Sequence, residues 1–329
     1  MKKKIIAVVA AAALLSAVIT GCGQSAPPAN NAGTGAATTS SEAAPAATPL
    51  AGADYTVYLI TMDKMDQHWV SVDKGAGDMA RALGINYKWD APDVKDNAKQ
   101  IECINNAVAD GSNLILLAAN DPTAVSEAVK NAKSKGVQII YVDSGADEPA
   151  LESLSTDNYN AGKLAGTTML DALKAAGKTS GKIGIIGVNT ATNSTISREN
   201  GFRAAIDEAG GYTLLTTEYK NGDAAASQDA AAGFISGNSD LVGIFGTNEG
   251  STVGTGNAIK ASGKDVIGVG FDKSDAINSL LQDGSLLASM AQNPYTMGYL
   301  GMAQAFGALS GYSLGPAVID TGVAVLKKS

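Results

Sequence analysis

The sequence predicts an α/β fold of two lobes, each a parallel sheet wound on both faces by helices. Three observations carry that expectation. Short apolar runs of strand length alternate with stretches of helical periodicity along most of the chain, the pattern of parallel strands joined by crossover helices. The alternation comes in two series of similar length, which suggests two sheets rather than one. Polar residues gather immediately after the apolar runs, at the carboxyl ends of the strands, where open α/β sheets bind ligands.

In the first series, Val57-Tyr58-Leu59-Ile60 reads as a buried strand, and Val72, Ala76, Met79, Ala80 and Leu83 recur at the spacing of one helix face. The polar loop between them holds Asp63, Lys64, Asp66, His68 and Trp69. His68 is the only histidine of the chain and Trp69 one of two tryptophans, so this loop reads as half of a small-molecule site. Residues 85–89 form a second strand and 90–93 a turn. A helix over about 94–109 and a strand at 114–118 follow. Asp121 is a candidate cap and Pro122 stands near the first position of a helix running to about 135. Strand 137–142 ends in Asp143-Ser144.

The pattern then restarts with a helix over about 158–176, strand 182–187, a loop at 188–197 and a helix containing Arg198. Next come strand 213–218, helix 224–236 and strand 241–246, tipped by Thr247-Asn248-Glu249. Helix 252–261 leads to strand 266–270, tipped by Phe271-Asp272. A short helix near 275–283 and the stretch 286–292, ending in Gln292, close the series.

Ahead of these units, Lys2-Lys3-Lys4 and the apolar run from Ile5 to Ile19 read as a signal peptide over 1–21. That run is short for a membrane span. Ile19-Thr20-Gly21-Cys22 resembles the bacterial lipobox, which implies lipidation of Cys22. Residues 22–52, rich in Ala, Pro, Thr, Ser, Asn and Gly, lack the apolar residues to offset ordering entropy and read as a flexible tether.

Composition narrows the function. With 32 acidic and 24 basic residues, a net charge of −8 argues against a nucleic-acid partner. The chain has two cysteines; with Cys22 lipidated, only Cys103 remains, so no intrachain disulfide is expected, and its apolar neighbours suggest a buried thiol. A single histidine removes most His-based metal sites. Walker A spacing and the Gly-x-Ser-x-Gly elbow are absent from the sequence, so neither an enzyme nor a cofactor is expected. A glycosidase built on cleft carboxylates is the remaining enzymatic alternative. A transcription regulator would need a helix-turn-helix where the signal peptide and tether stand.

From about Asp54 onward the chain resembles the type I periplasmic sugar-binding proteins, the ribose-binding-like family of ABC importers. The loop Asp66-Gln67-His68-Trp69-Val70-Ser71 stands where the family has an Asn-Pro-Phe-Phe-type loop. Asp143 follows the fourth strand, where the family places a sugar-binding Asp. Thr156-Asp157-Asn158 with Gly162, Lys163 and Gly166 matches the family's Ser-Asp-Asn…Gly segment. Arg198-Glu199-Asn200-Gly201-Phe202 matches its Arg-x-x-Gly-Phe motif, whose Arg binds ligand. Thr247-Asn248-Glu249, Gly268-Val269-Gly270-Phe271-Asp272 and Ala291-Gln292 complete the set. Each piece is weak alone; seven in order are specific.

The resemblance implies a lobe of 53–156 with 293–319 and a lobe of 157–292 with 320–329. They would be joined by a three-stranded hinge with crossings near Thr156-Asp157, Ala291-Gln292 and Ile319-Asp320, and would close on ligand. It implies a site of Asp66, His68, Trp69, Asp143, Arg198, Asn248, Asp272 and Gln292, with Asn221 from a loop that often carries an aromatic. Asp accepts, Arg donates, and Asn and Gln do both, which suits sugar hydroxyls; Trp69 would cover the ring face. Each also has a plainer role: turn caps for the aspartates, a helix cap for Asn248, a hinge residue for Gln292, core packing for Trp69. Lys64 reads as solvated. Ser144 in place of the family's usual Arg, and His68-Trp69 in place of its aromatic pair, point away from ribose, and the charges of Asp63-Lys64 and Asp66 suit a different ligand such as a hexose, polyol, inositol or sugar-derived signal. The implied protein is a monomeric, lipid-anchored receptor that delivers a sugar-like solute to an ABC permease, meeting the membrane through its lipid only. The alternative is a receptor that reports occupancy to a membrane sensor without transport.

Overall fold

A computed structural model describes residues 54–328; the signal peptide, the tether and Cys22 lie outside the described residues. One sheet has the order β12-β5-β4-β3-β1-β2. It comprises β1 (Thr56–Ile60), β2 (Asn86–Asp90), β3 (Leu114–Leu117), β4 (Gln138–Val142), β5 (Ser153–Ser155) and β12 (Val318–Asp320), all parallel. The other follows β13-β11-β10-β9-β6-β7. Its members are β6 (Gly181–Gly187), β7 (Tyr212–Leu214), β9 (Leu241–Gly246), β10 (Ile267–Phe271), β11 (Ala288–Gln292) and β13 (Val323–Lys327), with β8 (Glu218–Tyr219) on β6. Only β13 runs antiparallel to its neighbour.

Helices cover both faces of each sheet. α1 (Gln67–Leu83) and α9 (Pro294–Leu309) share one core with the first sheet, built on Val57, Leu59, Val72, Ala76, Leu116 and Met302. α2 (Asn97–Ala109) and α3 (Ser126–Ser134) close the opposite face over Ile60, Ile104, Ile115 and Val129. In the second lobe, α4 (Asn158–Ala175) and α5 (Asn193–Ala209) pack over Ile183, Phe245, Phe271 and Met290. α6 (Ala224–Gly237) and α7 (Glu249–Ser262) cover Ile186 and Ile244. α8 (Asp275–Gln282) adds a small cluster around Leu280 and Leu286.

Two helix pairs meet backbone to backbone. A Cβ on Gly75 of α1 would lie 2.1 Å from the Tyr295 carbonyl oxygen of α9, and one on Gly298 would lie 2.0 Å from that of Val72. The second lobe repeats the arrangement: Gly162 of α4 against the Arg198 carbonyl and Gly201 of α5 against that of Tyr159, each at 2.0 Å. Only glycine permits these approaches.

Several expected boundaries shift for local reasons. The expected strand 213–218 divides into β7 and β8, because three residues (215–217) span the stretch of β6 that only two residues, Gly184 and Ile185, fill between the paired positions. The helix expected from 94 starts at Asn97, capped by the Asp96 carboxylate on the Lys99 amide. α5 and α7 start earlier than expected, the latter in a capping box between Asn248 and Ser251. β5 and α9 were not anticipated from the sequence.

Candidate ligand-binding site

The strand tips of the two lobes carry the same device. Asp143 follows β4 with φ 64°, and Asp272 follows β10 with φ 74°, a left-handed backbone that costs a non-glycine residue about 1–2 kcal/mol. In each case the neighbouring strand pins the residue. The Asp143 amide donates to the Leu154 carbonyl at 2.8 Å and the Ser155 hydroxyl donates to the Asp143 carbonyl at 2.6 Å. The Asp272 amide donates to Met290 at 2.9 Å and Ser289 Oγ to the Asp272 carbonyl at 2.7 Å. Both carboxylates are thereby turned into the space between the lobes. Glycine adopts this conformation freely, so Asp272→Gly should be about 1 kcal/mol more stable than Asp272→Ala; urea unfolding of the two variants checks this.

His68 lies between the two aspartates. Its Nε2 is 3.3 Å from Asp143 Oδ1 and its Nδ1 3.6 Å from Asp272 Oδ1. It stands on the first turn of α1 rather than in a loop, as does Trp69. Burial works against the imidazolium, but the Asp143 and Asp272 carboxylates outweigh it and raise the His68 pKa. Asp143 shows the converse: burial pushes it up, yet His68 and then Arg198 hold it below the usual carboxylate range. Trp69 meets the His68 ring edge-on at 4.6 Å and its indole N–H donates to Asp63 at 3.3 Å. It lines the cavity and also belongs to the first lobe's core.

Arg198, 2% exposed, is fixed on three sides. Nε donates to Asn158 Oδ1 at 2.8 Å, Nη1 to the Thr247 carbonyl at 3.0 Å, and the guanidinium lies 4.1 Å from the centre of the Phe271 ring. Nη2 points towards Asp143 Oδ1 at 3.8 Å and has no hydrogen-bond partner. Asn248 does cap α7, through Oδ1 on the Ser251 amide at 3.1 Å, and this leaves Nδ2 buried and unpartnered. Gln292 is committed at both ends: Nε2 donates to Asp272 Oδ1 at 2.6 Å, and Oε1 accepts from Thr156 Oγ1 at 2.9 Å.

Asp66, His68, Trp69, Asp143, Arg198, Asn248, Asp272 and Gln292 all line one cavity. Asn221 does not line it. Held at φ 51°, Asn221 faces an adjoining groove and donates from Nδ2 to the Lys95 carbonyl at 3.1 Å. Lys64 is paired with Asp90 at the surface.

Sequence reasoning passed over Lys95 with its pairing to Asp63, and the role of Glu249. The buried Lys95 ammonium bridges Asp63 Oδ2 at 2.5 Å and Asp66 Oδ2 at 3.0 Å. Lys95 and Glu249 each follow a strand tip, the same positional signal that marks Asp66. The Glu249 carboxylate accepts from the His68 amide across the lobes at 3.3 Å, and Thr192 Oγ1 donates across them to the Asn120 carbonyl at 2.6 Å. Burial, then the charges of Asp66 and Asp272, push the Glu249 pKa up to about 7. Between the ordinary Glu pKa and 7 the folded chain therefore holds a proton that the unfolded chain has released, and stability is lost as pH rises through that window. With allowance for solvent screening the loss is on the order of 1–2 kcal/mol. Glu249→Gln should remove that part of the slope, read from unfolding free energies between pH 5 and pH 8.

Two lobes facing each other across buried polar groups at their strand tips define a two-lobed solute-binding protein. Residues 57–313 match the family model for the periplasmic binding protein domain. The chain is 29% identical over 263 residues to the ribose import binding protein RbsB of Haemophilus influenzae, covering 79% of this chain and 88% of that protein. Among solved structures, it is similar to a carbohydrate transporter solute-binding protein from Agrobacterium radiobacter in complex with D-arabinose. There the identity is 29% and the TM-score 0.80, covering 83% of this chain and 94% of that one. An ABC transporter solute-binding protein from Agrobacterium vitis, bound with α-D-tagatopyranose, is 26% identical with a TM-score of 0.79, covering 83% and 95%. This chain belongs to the periplasmic binding protein family.

Proposed function

We propose that this protein captures a sugar or sugar-like molecule between its lobes and delivers it to an ABC permease. The observation that carries the reading is a pair of buried donors without hydrogen-bond partners, Arg198 Nη2 and Asn248 Nδ2, on one cavity with the Asp143 carboxylate. A buried polar atom without a partner costs about 1–3 kcal/mol, and ring hydroxyls, which both donate and accept, would satisfy acceptor and donors together. Asp143 and Asp272 supply one carboxylate from each lobe, so a ligand touching both favours the closed form. Gln292 acts by holding Asp272. The relatives' D-arabinose and D-tagatose ligands support the same class of solute.

The reading assigns 53–156 with 293–319 to one lobe and 157–292 with 320–329 to the other. It also places the monomeric protein on the outer face of the cytoplasmic membrane through lipid on Cys22, with 22–52 as its tether. Cys22→Ser should abolish incorporation of labelled palmitate and release the chain from the membrane fraction.

A thermal-shift screen of the chain without its signal peptide, against pentoses, hexoses, deoxy sugars and inositols, tests the function. A ligand specific for the folded state stabilises it by about 2.7 kcal/mol at a hundredfold excess over Kd. A hit that Asp143→Ala abolishes would place the sugar in this cavity; a flat screen would remove the sugar reading.

A further inference from the structure

We propose that the ligand carries a cationic amine, seated between the Asp66 and Glu249 carboxylates where the cavity meets the adjoining groove. The inference rests on the sugar-binding reading and narrows it to an amino sugar.

The two ends of the cleft differ in charge balance. At the inner end, Asp143 faces Arg198 and His68, and Asp272 faces His68 and Gln292. At the outer end one ammonium, that of Lys95, serves both Asp63 and Asp66. Glu249 takes part in none of the ion pairs among the described residues; its side-chain partner is the His68 backbone amide. Glu249 is mostly neutral in the empty cleft at pH 6.5, its pKa being raised to about 7, and an ammonium beside it would draw that proton off. Even with Glu249 neutral and His68 protonated, Asp63, Asp66, Asp143 and Asp272 outnumber Lys95, Arg198 and His68. Nearby lysines do not close the gap: Lys64 is paired with Asp90 at the surface, and Lys273 lies on a different opening of the cleft.

A buried donor independently marks this end of the cleft as a place for ligand. Asn248, 5% exposed, has an unpartnered Nδ2. Asn248 lines the cavity with Asp66 and Lys95. A Cβ on Gly222, in the wall of the adjoining groove, would lie 2.9 Å from that Nδ2 and 3.1 Å from Lys95 Nζ, so the amide sits where cavity and groove meet. Asp66, Lys95, Gly222 and Glu249 line that groove together with Met65 and Val94, which are 75% and 65% exposed. An apolar rim limits counter-ion access and strengthens a charge pair beside it. An ammonium brings three donors and a positive charge. It can bridge two carboxylates and relieve their repulsion, which a neutral hydroxyl cannot.

The test is isothermal titration of the chain without its signal peptide at pH 6.5, where amino sugars are protonated. The probes are D-glucosamine, D-galactosamine and D-mannosamine, each with its neutral parent and its N-acetyl form. One amine should bind at least tenfold tighter than its parent, equivalent to about 1.4 kcal/mol, and its N-acetyl form should lose that advantage. Glu249→Gln, and separately Asp66→Asn, should bring the ratio of amine to parent within threefold. A neutral parent that binds as tightly as its amine overturns the inference and leaves the sugar reading standing. An amine preference that survives both substitutions overturns the assigned seat. No binding by amine, parent or N-acetyl form overturns the inference and leaves the sugar reading to the thermal-shift screen.

Discussion

Arg198→Ala is expected to weaken binding of the sugar found by screening at least a hundredfold and to destabilise the unliganded chain by about 3–5 kcal/mol. The binding loss follows from the unpartnered Nη2, which lines the cavity beside Asp143. A charge-assisted hydrogen bond from that atom to a sugar hydroxyl has no substitute in the alanine variant. The stability loss follows from what remains: Asp143 keeps a buried carboxylate with one of its two cationic neighbours removed, and Asn158 Oδ1 and the Thr247 carbonyl lose their donors. Arg198→Lys separates the two effects. It retains a charge near Asp143 but cannot make the forked contacts or lie flat on Phe271, so it should recover more stability than affinity. Titration calorimetry and urea unfolding on the same preparations supply both numbers. Binding by Arg198→Ala within tenfold of the intact chain would sink the placement of the guanidinium in the site.

Gly162→Ala is expected to cost about 3 kcal/mol, the upper part of the range for overpacking a closed interior. The new methyl would sit 2.0 Å from the Arg198 carbonyl oxygen. The obstacle is helix backbone, so no side-chain rotation relieves it, and α4 and α5 must separate. Because the obstructing carbonyl belongs to Arg198, the separation also displaces the guanidinium, and ligand affinity should fall alongside stability. Gly233→Ala is the control. Gly233 lies within α6, and nothing stands within 4 Å of its added Cβ. That exchange should stabilise the chain by about 0.5–1 kcal/mol through helix propensity alone. The urea midpoints should therefore move in opposite directions with m unchanged.

The sequence made the strand tips legible because an apolar run followed at once by Asp, Asn or Gln has few structural explanations. Asp143, Asn248, Asp272 and Gln292 were all found that way. Their division of labour was not legible. Nothing in the chain order of Gln292 says that both ends of its amide are taken, or that the cap made by Asn248 uses only its oxygen. Lys95 was missed because a lysine between Val94 and Asp96 in a polar turn looks like any solvated lysine. Its burial depends on a contact with the 61–71 segment that only the packed β1 and β2 provide. α9 escaped notice for a related reason: rich in glycine, alanine and methionine, it shows no sharp apolar stripe, and its small residues matter for how closely they allow α1 to approach. The split of the strand near 213–218 depends on one extra residue against β6, a register property with no compositional sign.

The pairing of α1 with α9 constrains the order in which the protein can be completed. α1 belongs to the first strand–helix unit of the described chain and α9 to its last, yet Gly75 and Gly298 fit only against each other's helices, and Met302 and Ala305 fill the core beside Val72 and Ala76. During synthesis β1 to β5 appear early, with the face that α1 and α9 share covered by α1 alone, while β6 to β11 of the second sheet are made. That face gains its lid only when residues 294–309 arrive. A growing chain therefore closes the core of its first sheet only at this late step. Truncation just before Pro294 should yield a product with a complete second-half helix set and an open first sheet, prone to capture by chaperones.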